Sequence, residues 1–178
     1  LMVIHPPVVF LFYTLCLAVS SIALSGFIRN ERPEQTHEGI LKWARYAFLS
    51  GTVGIGLGGL WAYSVLDWGG YWAWDPVETG SLLPWLGLLA ILHARPRRDT
   101  GRNLSSSPAI AMIVGALVIH ATLVTRANGV WASVHAFVGD GTNSMPRDPY
   151  VRVLQIAELS AIGIEVTTYL LAVIVLGC

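Results

Sequence analysis

The sequence predicts an all-α fold: a polytopic membrane helix bundle of about five transmembrane helices, forming a single membrane domain over residues 1–178. Three observations predict it. Hydrophobic residues make up 54% of the chain and charged residues only 12%, against about 25% charged in a typical soluble domain. Mean hydropathy is +0.59. The apolar residues fall in long blocks, and ~20 such residues carry a helix across the ~30 Å hydrocarbon core of a bilayer.

The first span is expected at 6–28, where Pro6 and Pro7 suit a first helical turn. The block is too long for a signal-peptide core, has no basic flank and lacks a convincing cleavage site, so it reads as a retained span. The opening Leu1-Met2-Val3-Ile4-His5-Pro6-Pro7 hardly resembles a free polar start and reads as a fragment or one gene of a split protein. The second span is expected at 46–65, with Gly54, Gly56, Gly58 and Gly59 allowing close helix contact. The third is expected at 76–94 and the fourth at 108–125. The fifth is expected at 151–177, where Glu158 and Glu165 share one face and should turn toward protein, since carboxylates are costly in lipid.

Four connections join these spans: 29–45, 66–75, 95–107 and 126–150. The first and third hold eight basic residues (Arg29, Arg32, Lys42, Arg45, Arg95, Arg97, Arg98 and Arg102). The other side has three, Arg126, Arg147 and Arg152. The positive-inside rule puts 29–45 and 95–107 in the cytoplasm. His5, the tryptophan-rich 66–75 loop and His135 then face out, while His37 and His93 face in. His120 falls inside the fourth span and is expected to hydrogen-bond against another helix.

Composition also excludes. Eleven basic residues balance eleven acidic ones, and no basic run suggests nucleic acid. Cys16 and Cys178 are far apart, with no CxxC, no zinc-type spacing and no CxxCH heme-attachment motif.

The most informative stretch is Trp68-Gly69-Gly70-Tyr71-Trp72-Ala73-Trp74-Asp75-Pro76-Val77-Glu78. Five of the seven tryptophans (Trp61, Trp68, Trp72, Trp74 and Trp85) lie within it or close by. Ring faces at this density form a surface for a flat apolar ligand, and Gly69 and Gly70 let backbone approach such a ligand. The plainer reading is an interfacial aromatic belt, which does not explain the paired glycines. Asp75-Pro76-Val77-Glu78 reads as a helix start, with Asp75 as N-cap, Pro76 as first residue and Glu78 closing a capping box.

The histidines each have a plain reading. His5 is an interfacial residue ahead of a helix. His135 sits in Val130–Val138, where Trp131, Val134, His135 and Val138 recur at helical spacing, as in a short outer interfacial helix. His93 is a helix-end residue beside cytoplasmic arginines, favoured there by the helix dipole. Neutral imidazole is also a good iron ligand, and heme iron has two axial positions. Two outer histidines flank the tryptophan loop in sequence.

Residues 68–86, ending Thr79-Gly80-Ser81-Leu82-Leu83-Pro84-Trp85-Leu86, resemble the WWD domain of the heme-handling superfamily that includes CcmF, CcmC and CcsA. Pro-Val-Glu after Asp75, and the Ser81–Leu86 ending, are most similar to CcmF and its relative NrfE. Ile4-His5-Pro6-Pro7 and Trp131–Phe137 resemble the segments around that family's two outer heme-ligand histidines. The resemblance implies a cytochrome c heme lyase component that holds heme b on the outer face of the cell (inner or plasma) membrane. Cofactor-binding residues would be Trp68, Gly69, Gly70, Trp72, Trp74 and Asp75, with His5 and His135 as axial ligands. His93 matches one ligand of a second, structural heme b, whose other ligand comes from a later helix. The implied partners are a second CcmF-like chain with the missing helices, a CcmE-type heme chaperone, a CcmH-type thiol subunit and the CxxCH segment of apocytochrome c. The alternatives are a heme carrier or conduit without ligation activity, and a membrane scaffold whose tryptophans are only a belt.

Overall fold

A computed structural model describes residues 3–65, 70–94, 97–99, 102–104, 106–126 and 168. Its elements are α1 (His5–Ile28), α2 (Pro33–Val65), α3 (Pro76–His93), β1 (Arg97–Asp99), β2 (Arg102–Leu104) and α4 (Ser107–Arg126). The fold is a helical bundle, as predicted, apart from one small hairpin. Among the described residues, three helices, α1, α2 and α4, are long and apolar enough to cross a membrane. The chain is a membrane protein. α3 does not reach that threshold; Glu78, Thr79, Ser81 and His93 dilute its apolar residues. Trp68, Gly69, His135, the predicted helix at 130–138 and the predicted span 151–177 lie outside the described residues, except Thr168, which is helical.

Sequence reasoning places three helices to within a residue or two. α1 begins at His5 with prolines in its first turn and buries Phe12, Cys16, Val19, Ala23 and Gly26, one seam at i+3 and i+4 spacing. It stops at Arg29, and Asn30 adopts a left-handed conformation (φ 51°) that asparagine tolerates. α2 departs from expectation. It begins at Pro33 rather than near Tyr46 and runs 33 residues, about 50 Å, well beyond the ~30 Å core. The charged stretch expected as a loop is helical because Ile40, Ala44 and Ala47, all fully buried, continue the apolar seam beneath its charges. The connection at 95–107 also differs. It holds an antiparallel hairpin pairing Arg97 with Leu104, Arg98 with Asn103 and Asp99 with Arg102.

Neighbouring helices run antiparallel. α1 lies against α2 where Gly54 faces Val9, and an added Cβ there would stand 3.2 Å from the valine side chain. α3 lies against α4 where Gly80 meets Ala121 and Gly87 meets Val114. Phe48 of α2 stacks on Trp85 of α3 at 4.9 Å between ring centroids, and the Trp85 indole N–H donates to Thr52 Oγ1 at 2.9 Å. The core at the crossing of the four helices is Phe12, Cys16, Val19, Leu88, Ile91, Val114 and Val118 with small alanines between.

This arrangement gives the bundle two ends. His5, residues 70–75 and the end of α4 share one. His37, His93, Ser107 and the hairpin share the other. His120 is exposed on α4, one residue from the Ala121 that meets Gly80, and the predicted fifth span against which it could hydrogen-bond lies outside the described residues.

Candidate functional site

The site begins with the start of α3. Asp75 accepts a hydrogen bond from Val77 N–H at 2.9 Å, and the reciprocal capping box with Glu78 is complete. Both carboxylates are buried, at 7% and 9% exposure. Glu78 does more than close the box. Its Oε2 accepts from Asp75 N–H at 3.3 Å and from Ala73 N–H at 3.0 Å. One carboxylate oxygen therefore holds the backbone on both sides of Trp74.

That clamp explains an unusual residue. Trp74 has φ 57°, in the left-handed region that costs a side-chain-bearing residue ~1–2 kcal/mol. The turn projects its indole outward, 72% exposed. Trp72 meets it edge to face at 6.2 Å between ring centroids. The Trp72 ring nitrogen is buried and has no hydrogen-bond partner among the described residues. A side chain at Gly70 would meet nothing nearer than the Trp72 carbonyl at 3.9 Å, so packing within the described chain does not demand a glycine there.

α2 connects this strand to His5. The Tyr71 hydroxyl donates to the Gly56 carbonyl at 2.7 Å, and its ring covers Gly59, where a Cβ would stand 2.6 Å away. His5 Nδ1 lies 2.9 Å from the Gly54 carbonyl. Tyr71 and His5 thus sit at one height along α2. Gly54 and Gly58 share a face, whereas Gly56 and Gly59 share another roughly half a turn round, at ~100° per residue. So the structure brings His5 and the aromatic strand to one level on nearly opposite sides of α2.

Of the predicted site residues, Gly70, Trp72, Trp74 and Asp75 come together. Asp75 faces inward to its cap rather than outward. His93 stands at the far end of α3, exposed, its Nδ1 2.8 Å from the Leu89 carbonyl of its own helix. The ~27 Å of α3 separates it from the tryptophans. Sequence reasoning missed His37. It is 5% exposed, and its Nδ1 lies 2.7 Å from Ser107 Oγ, tying α2 to the first residue of α4. The signal was present: Thr36 and His37 precede Ile40, Ala44 and Ala47 on the same buried seam. Tyr71 and Glu78 were read as aromatic surface and cap, and the structure adds their contacts to α2 and Ala73.

The fold and this end define a class: a polytopic helical membrane protein with a clamped aromatic strand and a seated histidine at the same end. The chain matches the model of the family described as "Cytochrome C assembly protein" over residues 1–130, and it belongs to that family. It is 36% identical over 163 residues to "Probable cytochrome c-type biogenesis protein NrfE" of Escherichia coli, covering 91% of this chain and 29% of that protein. It is 34% identical over 163 residues to NrfE of Haemophilus influenzae, covering 91% and 25% respectively. With "Cytochrome c-type biogenesis protein CcmF" of Escherichia coli the identity is 32% over 146 residues, covering 81% and 22%. The chain thus spans about a quarter of the length of these relatives. No solved structure matches.

Proposed function

We propose that this chain is the heme-holding part of a CcmF-type cytochrome c heme lyase. The observation that carries the reading is the Trp72–Trp74 strand, clamped by Glu78 so that an exposed indole is presented at the level of His5. The residues fit a flat apolar macrocycle with polar edges. Trp74 offers an exposed ring, Gly70 leaves room, and Trp72 carries a ring N–H without a partner among the described residues. His5 and His135 are the axial ligands, and Trp68 and Gly69 extend the surface. Asp75 acts through the cap, by fixing where the strand meets α3. His93 would hold a second heme b, with the other ligand supplied by a helix of a second CcmF-like chain.

Heme b, the substrate, supplies the iron and the two vinyl groups. Each vinyl group gains a sulfur and a hydrogen from one thiol of the apocytochrome CxxCH segment, so thioether formation is a net addition. This chain's part is to bind, orient and set the state of the iron through its ligands. The CcmE-type chaperone delivers heme, and the CcmH-type subunit keeps the substrate thiols reduced. The tryptophan strand and His5 face the outside of the cell membrane.

The test is the visible spectrum of the purified chain from a heme-replete host, compared with His5→Ala and His135→Ala. Loss of absorbance or a spin-state change in both variants is expected. Spectra unchanged in both would overturn the ligand assignment. Bound heme without thioether formation when apocytochrome and partner chains are supplied would make the chain a carrier instead.

A further inference from the structure

Two glycines of α2, and not His5 alone, set the geometry of the proposed ligand. We infer that the Gly54 carbonyl fixes the tautomer of His5, and that the missing side chain of Gly58 fixes the place of its ring. The inference deepens the heme-handling reading and rests on it.

A backbone carbonyl can only accept a hydrogen bond. The 2.9 Å contact between His5 Nδ1 and the Gly54 oxygen therefore puts the ring proton on Nδ1. A neutral ring so protonated carries its lone pair on Nε2. A metal-binding histidine commonly gives its other ring N–H to a carboxylate or carbonyl, which orients the ring and raises its basicity. Here the carbonyl comes from a neighbouring helix, 49 residues away in sequence.

Gly58 lies one turn further along the same face of α2. A Cβ there would stand 2.6 Å from His5 Cε1, 3.1 Å from Nδ1 and 3.2 Å from Nε2. The ring lies flat over the space that a side chain would fill. His5 is also the first residue of α1 and is followed by two prolines, so its backbone has little freedom to retreat. Gly56 offers a control on the same helix. Among the described residues, a Cβ there would meet only the Tyr71 hydroxyl, at an ordinary 3.8 Å. Glycine-to-alanine substitutions at 56 and 58 make the same change to helix propensity, but only one displaces His5.

The test uses the full chain in detergent micelles, labelled with ¹⁵N-histidine and free of heme. At a pH where the ring is neutral, His5 is expected as the Nδ1–H tautomer in the wild type and in Gly56→Ala, and to lose that signature in Gly58→Ala. The wild-type measurement decides the tautomer even if Gly58→Ala does not fold. Iron protoporphyrin IX is then titrated into each protein. Gly58→Ala is expected to weaken binding about tenfold or more, the range for disturbing a group that orients a metal ligand. Its spectrum should move toward that of His5→Ala, and added imidazole should restore it. An Nε2–H tautomer in the wild type, or a Gly58→Ala protein matching the wild type in tautomer and spectrum, would overturn the inference. The two failures are separable. If the wild type binds no iron protoporphyrin, the heme-handling reading falls and the ligand geometry with it. If the wild type binds it through His5 and Gly58→Ala binds equally well, only the role of the glycines falls.

Discussion

The two ends of the bundle are built differently. At the His37 end, one buried side chain bonds another, His37 to Ser107, while the buried Glu34 Oε1 of α2 has no hydrogen-bond partner among the described residues. At the His5 end, side chains lean on backbone carbonyls of α2, glycines make room for rings, and the aromatic groups are left outward. Trp74 is exposed in a left-handed conformation, and the buried Trp72 N–H has no partner among the described residues. Selection for stability alone favours the first construction. Backbone strain held in place by its surroundings, next to an unpartnered donor, is the pattern of a working site.

The largest expected effect tests whether that strain is held by one residue. Glu78→Ala removes the acceptor shared by the amides of buried Asp75 and exposed Ala73. A loss of about 2 kcal/mol is expected, read by denaturant titration in detergent, together with loss of heme absorbance. Glu78→Gln retains an acceptor oxygen and should fall between. If Glu78→Ala left both stability and absorbance intact, the aromatic end would not depend on its clamp.

The next effect should break the comparison cleanly at the other end. His37→Ala removes the buried hydrogen bond between His37 and Ser107, and about 1 kcal/mol of stability should be lost. The part of the heme spectrum that His5→Ala removes should not change, because His37 lies at the end opposite the tryptophans. A spectral shift from His37→Ala would mean that the two ends are coupled.

The same contrast explains what the sequence made legible. Spans with a continuous apolar run, α1 and α4, and the capped start of α3 could be read closely, because run length and cap chemistry are local signals. Asp75 and Glu78 announced their box for that reason. The extension of α2 back to Pro33 was hidden, since Glu34, Glu38 and Lys42 mask a seam of only a few small residues. The β1–β2 hairpin was hidden because three-residue strands carry no period. At the site, the aromatic strand was legible from its density. Its meeting with Gly56 and Gly59, the seat of His5 on Gly54, and the pairing of His37 with Ser107 were not. Each joins residues distant in the chain, and helix register alone decides which of several glycines lies beneath which ring.

The smallest effect is the sharpest test of the strained end. Trp74→Ala and Trp74→Gly both lose the edge contact with Trp72, and both should weaken heme binding. They differ in backbone. Alanine keeps the left-handed penalty of ~1–2 kcal/mol, whereas glycine escapes it. Glycine in turn gives the unfolded chain more freedom, which offsets ~0.5–1 kcal/mol. The glycine variant should therefore be the more stable of the two by about 0.5–1 kcal/mol, measured by paired denaturant titrations. Most substitutions place alanine above glycine, so the reversed order is diagnostic of a positive φ at residue 74. The usual order would mean that the strand relaxes out of its left-handed turn, and that Trp74 is not presented by strain. Where the glycine variant gains stability and loses heme, the strained tryptophan is kept for what it binds and not for the fold it helps to hold.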